Sequence, residues 1–175
     1  SVGNYVYMFH AAVSTHQQYN KAAFYNYDAV FCTGNYQRTE IMQAEKLYRL
    51  RAKELIAYGY PLFDKLKHYK IQAATQTKSV PTILIAPSWF QGCIFDTCIE
   101  ELLILLAPLP YKVLLRSHPE YEKRKNFKQI QKLIKHYPGI AIDKLPNVVD
   151  SLSAADILIT DRSGIAFEFA FGIQK

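Results

Sequence analysis

The run TILIAP at 82–87 is apolar or small at nearly every position, with no polar residue recurring at every second place. A strand that shows one face to water alternates with period two, so an unbroken apolar strand must be covered on both faces. That condition belongs to parallel sheets flanked by helices, and it restricts the chain to the α/β class. YKVLLR at 111–116, GIAID at 139–143 and DILIT at 156–160 repeat the signal. Between them lie segments predicted as helices, over 94–107 and 124–136, and a short one in NVVDSLSAA with Asn147 as its N-cap.

The first part of the chain follows the same alternation less cleanly. NYVYMF at 4–9 and DAVFCT at 28–33 read as strands, 17–26 as a helix or turn, and 36–57 as one or two helices. Gly59 and Pro61 cannot both sit inside regular structure, so they interrupt the pattern. KIQAATQTKSV at 70–80 is polar and without period, which suits a linker. The expected organisation is therefore two Rossmann-like parallel-sheet domains: 1–69 as the C-terminal part of the first, 70–80 as linker, and 81–175 as the second. Both domains are expected to be incomplete. The chain opens almost at once on a strand and stops at FGIQK, where the alternation would next supply another strand.

Charge narrows the partners. The formal net charge of +6 favours phosphate-rich ligands, anionic membrane surfaces or nucleic acid. The densest basic stretch, EKRKNFKQIQKLIKH at 122–136, reads first as the solvated face of an amphipathic helix and second as a surface for anionic polymer or lipid. No nucleic-acid reader fold accompanies it, so nucleic acid is not an expected partner. Cys32, Cys93 and Cys98 have neither metal spacing nor an even disulfide framework, which points to a reduced, cytoplasmic setting. CIEELLILLAPLP contains Glu100 and Glu101 and is short of the roughly 20 residues a bilayer span needs. There is no G-x-x-x-x-G-K-[ST] loop, no G-x-G-x-x-G fingerprint and no His pair at helical metal spacing. Chemistry without a protein-held metal or a tightly bound cofactor is the expectation.

In an open parallel sheet, ligands bind beyond the carboxyl ends of the strands. That rule selects His10, Gly34 and Asn35 in the first part. In the second it selects Ser88 to Gly92, Arg116 to His118, Asp143, Lys144, and Asp161 to Gly164. These tips are polar, small or cationic, while the strands behind them are apolar. Ser163 and Gly164 stand where a helix begins, so their backbone N–H groups are placed to meet an anion. SWFQG at 88–92 forms a second glycine-containing loop before a helix. Arg116 can fork onto phosphate oxygens, and His118, followed by Pro119, can donate a hydrogen bond. Together these groups describe a diphosphate site better than a carboxylate or sugar site. Each also has a plainer reading, as an ordinary βα turn or a structural histidine, and it is their placement on one sheet edge that favours the site.

FHAAVSTH, YDAVFCTG, GYPLFD, ILIAPSW, RSHPE and ADILITDRSG, in this order and spacing, resemble the CDP-glycerol glycerophosphotransferase family of teichoic acid primases and polymerases. The resemblance spans nearly the whole chain, and RSHP and ILITDRSG are its most specific parts. It implies a GT-B architecture with the active site in the cleft between two Rossmann-like domains. It also implies transfer of glycerol phosphate from CDP-glycerol to a lipid-linked polymer acceptor, with release of CMP. The expected location is then cytoplasmic and peripheral, at the inner face of the membrane, with the anionic surface as a further partner. By the same resemblance His10 falls at the proposed base, with His16 as its rival. Arg116, His118 and Pro119 fall at the donor diphosphate, and Thr160, Asp161 and Ser163 at the donor phosphates. Glu168 takes the place of a ribose-binding carboxylate, against a plain helix-surface or core-edge role. Donor-binding candidates are thus Ser88, Gly92, Arg116, Thr160, Asp161, Ser163, Gly164 and Glu168, with His10 and His118 catalytic.

Two departures stand out. Many members of the family have His-Gly where this chain has His10-Ala11, and Tyr-Ser-Ser where it has Arg162-Ser163-Gly164. The second adds a cation beside the expected diphosphate. Ribitol phosphate, or a sugar from a nucleotide donor, stays open as the transferred group. The alternatives are a GT-B glycosyltransferase or sugar-nucleotide epimerase using a UDP-sugar and, in another class, a basic binding module without turnover.

Overall fold

The structure, a computed structural model, describes residues 3–73, 79–124 and 127–173. It is α/β throughout, with two parallel sheets, and divides into two compact units between Leu62 and Phe63.

In the first unit the order is β1 (Val6–Met8), α1 (Thr15–Gln18), β2 (Ala29–Cys32), α2 (Asn35–Tyr48) and β3 (Glu54–Ala57). The strands lie side by side as β1-β2-β3, all parallel, with Tyr7 opposite Val30 and Val30 opposite Leu55. One sheet face buries Phe9, Val30 and Cys32 against Ile41 of α2, with Tyr7, Tyr19 and Phe24 packed around them. Tyr7 meets Phe9 and Phe24 edge to face, with ring centroids 5.0 and 5.2 Å apart. Each such pair is worth about 0.5–1.5 kcal/mol beyond the area it buries.

The reading of 36–57 as helix fails over its last residues. Arg49 closes α2 in the left-handed region, with φ 53°, and its N–H bonds back to Glu45 O. The chain then turns, Glu54 N–H bonds Asp28 O at 3.0 Å, and ELIA enters the sheet beside β2. Glu, Leu and Ala favour helix in isolation, but pairing Leu55 and Ile56 beside a buried strand outweighs that weak preference.

Helix α3 (Pro61–Ala73) begins at a proline, whose missing N–H costs nothing in a first turn. Gly59, just before it, has φ 85°, a conformation open to glycine at little cost. Most of this helix belongs to the second unit. Leu66 is fully buried, and a Cβ placed on Gly172 would stand 2.4 Å from Leu66 Cδ1, so glycine at 172 permits the close approach. The expected linker over 70–80 thus starts inside α3; residues 74–78 lie outside the described residues, and the next strand opens at Thr82.

The second unit continues with β4 (Thr82–Ile85), α4 (Ile94–Thr97), α5 (Ile99–Leu106), β5 (Lys112–Leu115) and α6 (Pro119–Arg124). After these come α7 (Phe127–Leu133), a 3-10 turn (Ile134–His136), β6 (Ile140–Ile142), α8 (Val148–Ala154) and β7 (Ile157–Ile159). Helix α9 (Ile165–Phe167) then runs into a π-helical segment, Glu168–Ile173. The single helix expected over 94–107 is broken, and the one expected over 124–136 changes to 3-10 over its last three residues. Cys98 (φ −142°, ψ 19°) leaves the helical region between α4 and α5. Asn147 caps α8 as expected, its Oδ1 accepting the Val149 N–H at 3.0 Å.

The four strands are parallel, in the order β6-β5-β4-β7. All four residues of β4 are buried, as its unbroken apolar run requires. Ile83, Ile85, Val113, Leu115 and Ile140 pack with Phe95, Leu103, Tyr121 and Ile130 in one core. Complete burial of a side chain such as Leu103 contributes about 1.5–3 kcal/mol. Among the described residues, no helix is long and apolar enough to cross a membrane.

Candidate active site

The strand order of the second unit fixes where a ligand would sit. From β4 the chain moves outward to β5 and β6, then returns to place β7 on the other side of β4. The crevice at such a reversal, beyond the carboxyl ends of the strands, is the binding position of open α/β sheets. Three loops meet there: 86–93 after β4, 116–118 after β5 and 160–164 after β7.

Two carboxylates moor the β4 loop. Asp161 Oδ1 accepts the Ser88 N–H at 2.8 Å, and its Oδ2 accepts the Ile94 N–H at 3.2 Å. Asp96 Oδ2 accepts the Gly92 N–H at 3.0 Å, while its Oδ1 accepts the Tyr121 hydroxyl at 3.1 Å. Gly92 has φ 82°, which accounts for the glycine there. Thr160 Oγ1 donates to Ala86 O at 2.7 Å, so it ties β7 to β4. The Ser88 side chain differs. The residue is 6% exposed, and its Oγ is buried without a partner among the described residues. A buried unpaired hydroxyl costs about 1–3 kcal/mol, a cost that a bound acceptor would remove.

Arg116 is committed to its own unit. Its Nη1 donates to Asp143 Oδ2 at 2.9 Å, to Leu145 O at 2.8 Å and to Ser151 Oγ at 2.8 Å. Asp143 Oδ1 in turn accepts the Leu145 N–H. The Asp143 side chain is 1% exposed. Burial opposes its charge, but the Ser151 hydroxyl, the Leu145 N–H and the Arg116 guanidinium outweigh burial and hold the carboxyl below its usual value.

His118 has a defined tautomer. Its Nδ1 accepts the Glu120 N–H at 3.1 Å at the start of α6, so the neutral ring carries its proton on Nε2. Burial pulls its pKa below the ordinary 6.5, with Glu120 pulling the other way and Lys123 adding to the depression. At neutral pH His118 is therefore an uncharged Nε2–H donor. The Trp89 ring stands beside it, centroids 6.1 Å apart.

On the β7 loop, Ser163 N–H bonds Asp161 O at 2.8 Å, and Ser163 Oγ accepts from Ile165 N at 3.5 Å. Of the two N–H groups expected to meet an anion, Ser163's is therefore occupied. Gly164's has no acceptor among the described residues. Glu168 is buried at 8% exposure, where the π-helical segment begins.

In the first unit, His10 is exposed beyond β1, and its main-chain oxygen accepts the Tyr60 hydroxyl at 3.0 Å. Its imidazole has no partner among the described residues. His16 instead holds Glu40 O through Nε2 at 2.9 Å. The Glu40 carboxylate accepts from the Ser14 and Thr15 hydroxyls at 2.7 and 2.8 Å, so this corner fastens α1 to α2. A cavity of about 250 Å³ borders it, lined by His16, Tyr19, Phe24 and Tyr48 among others. It lies along α2, so sheet topology rather than cavity size places the candidate site.

The model of the CDP-glycerol:poly(glycerophosphate) glycerophosphotransferase family matches residues 6–172. The chain belongs to this family. Its α/β fold with parallel sheets is of the GT-B type, and it spans well under half the length of the solved structures it resembles. A structure of the wall teichoic acid polymerase TagF, a variant soaked with CDPG, is 21% identical with a TM-score of 0.51, covering 85% of this chain and 37% of TagF. The UDP-GlcNAc 2-epimerase of Methanocaldococcus jannaschii, in complex with UDP-GlcNAc and UDP, is 13% identical with a TM-score of 0.51. That match covers 79% of this chain and 41% of the epimerase. At these identities the likeness is one of fold. No curated protein sequence matches the chain.

For this glycerophosphotransferase-family chain, the sequence pattern did not single out Asp96, and it selected Phe90 only as part of the Ser88 to Gly92 loop, with no role of its own. The Asp96 signal was available, because an acid four residues after Gly92 is placed to accept its N–H. Phe90 carried none: its position matters only once Arg162 is found over its ring, at 4.7 Å from the centroid.

Proposed function

We propose that the chain carries donor-binding and acceptor-activating residues of an enzyme that moves a glycerol-phosphate unit from CDP-glycerol to a lipid-linked polymer acceptor. The acceptor hydroxyl oxygen attacks the distal phosphorus of the donor, the bond from that phosphorus to the bridging oxygen breaks, and CMP leaves. His10 takes the hydroxyl proton. Its unpartnered ring favours it over His16, whose Nε2 is engaged by α2. His118 Nε2–H and the Gly164 N–H bear on the charge that develops on the diphosphate.

The observation that carries this reading is His118. A neutral ring oriented by the Glu120 N–H, beside the reversal point of the sheet, is a preorganised donor of the kind that stabilises developing negative charge. Asp161 supports the site by shaping the 88–94 loop, a role suited to an anion better than direct contact with phosphate. The basic net charge suits an enzyme working peripherally at the inner membrane face beside anionic lipid.

The test is CMP release from CDP-glycerol with a lipid-linked acceptor, run beside UDP-GlcNAc as competing donor. The enzyme consumes CDP-glycerol, and His118→Ala loses at least about 100-fold in turnover. Consumption of UDP-GlcNAc alone would transfer the site to sugar chemistry. Strongly salt-dependent polymer binding without turnover would make the chain a basic binding module.

A further inference from the structure

The loops after β4, β5 and β7 carry three basic side chains: Arg116, His118 and Arg162. Arg116 is ion-paired with Asp143 at 2.9 Å, so its charge is answered within the fold. His118 stands with Nδ1 accepting from the backbone. Arg162 is the cation among them with no counter-charge. It is exposed, and among the described residues its guanidinium has neither a carboxylate nor a carbonyl partner. What holds it is a ring: its guanidinium carbon lies 4.7 Å from the centroid of Phe90.

Both sides of that contact are anchored. Phe90 sits in the loop whose Ser88, Gly92 and Ile94 N–H groups are fixed by Asp161 and Asp96. Arg162 directly follows Asp161, the residue that fixes two of them. The Asp161 oxygens face those backbone donors, and no ion pair joins them to Arg162. A ring face takes up the cation's charge without using its N–H groups, so Arg162 keeps five donors for another acceptor. The same two loops carry the buried Ser88 hydroxyl and the Gly164 N–H, neither with a partner among the described residues.

We propose that Arg162 is a donor-binding residue of this chain, forking onto the non-bridging oxygens of a nucleoside diphosphate and setting preference for a diphosphate over a monophosphate. The inference rests on the proposed nucleotide-donor function and deepens it. Guanidinium is the suitable group, since its planar fork matches phosphate geometry as a lysine ammonium does not.

Calorimetric titration of the full chain with CDP and with CMP tests it, using the unchanged protein, Arg162→Ala, Arg162→Lys and Phe90→Ala. Arg162→Ala weakens CDP at least about tenfold and CMP less than about threefold, and Arg162→Lys recovers less than half of the CDP loss on a logarithmic scale. Phe90→Ala weakens CDP by a smaller factor, because it frees the cation without removing it. Equal CDP affinity in Arg162→Ala and the unchanged protein overturns the inference and leaves the donor function standing. Failure of the unchanged protein to bind CDP overturns both.

Discussion

Arg116 fell, on sequence, at the donor diphosphate, yet its Nη1 joins three segments of the second unit: Asp143 at the end of β6, Leu145 in the following loop, and Ser151 in α8. Arg116→Met separates ligand grip from internal tie. The substitution keeps much of the stem and removes the charge, leaving a carboxylate at 1% exposure without its cation. Breaking one partner of a buried pair costs about 3–5 kcal/mol. Leu145 is an exposed residue whose carbonyl adds little, and Ser151 Oγ keeps its contact with Asp143 and a 3.4 Å bond to Asn147 O. A loss of about 3–4 kcal/mol is therefore expected, and with a urea slope near 2 kcal/mol/M the midpoint falls by about 2 M. Trp89, the only tryptophan, lies in the same unit and reports the transition by fluorescence.

The sign with pH adds a second check. In the unchanged protein Asp143 titrates below its unfolded value, so its stabilisation is present above that value and is lost as pH falls through the folded one. Without Arg116 the carboxyl loses one of the groups that oppose burial, so it titrates higher than in the unchanged protein and the penalty shrinks on acidification. Arg116→Met/Asp143→Asn removes both charges, recovers at least half of the midpoint, and loses the pH dependence. A midpoint shift under about 0.3 M in Arg116→Met, with CDP affinity down tenfold, would refute the internal tie and return Arg116 to the ligand.

Asp161→Ala removes the acceptor for two N–H groups and loosens the 88–94 loop. It should lower CDP affinity and stability together, whereas Asp161→Asn, which keeps one acceptor oxygen, should retain more of both in parallel titration and urea unfolding. Gly172→Ala forces a Cβ to within 2.4 Å of Leu66 Cδ1 and should cost about 1–3 kcal/mol, read as a lower urea midpoint and relieved in Gly172→Ala/Leu66→Ala. Because burial holds His118 of the free protein below 6.5, its share of CDP affinity, taken as the difference between the unchanged protein and His118→Gln, should grow as pH falls and level off only below 6.5, once the free ring is charged. Levelling off already above 6.5 contradicts the burial argument.

How far the sequence could be read depended on whether burial or partner choice decided the outcome. β4 was legible because covering both faces of TILI leaves no freedom in composition, and Asn147 because an N-cap needs an acceptor at that one place. ELIA was not legible as β3, since its local preference is helical and only the neighbouring β2 makes it a strand. At the site the difficulty is sharper. A strand tip that binds phosphate and a strand tip that ties neighbouring loops require the same residues: a carboxylate that accepts N–H groups, a hydroxyl and an arginine. Asp161, Thr160 and Arg116 all meet either requirement by type, and only their partners reveal that each is engaged within the fold. Among the groups the internal ties do not consume are the Ser88 hydroxyl, the His118 Nε2–H, the Gly164 N–H and the Arg162 guanidinium. Those four come from three loops at one reversal of the sheet. A diphosphate needs several donors converging from different directions, and no single loop here supplies them.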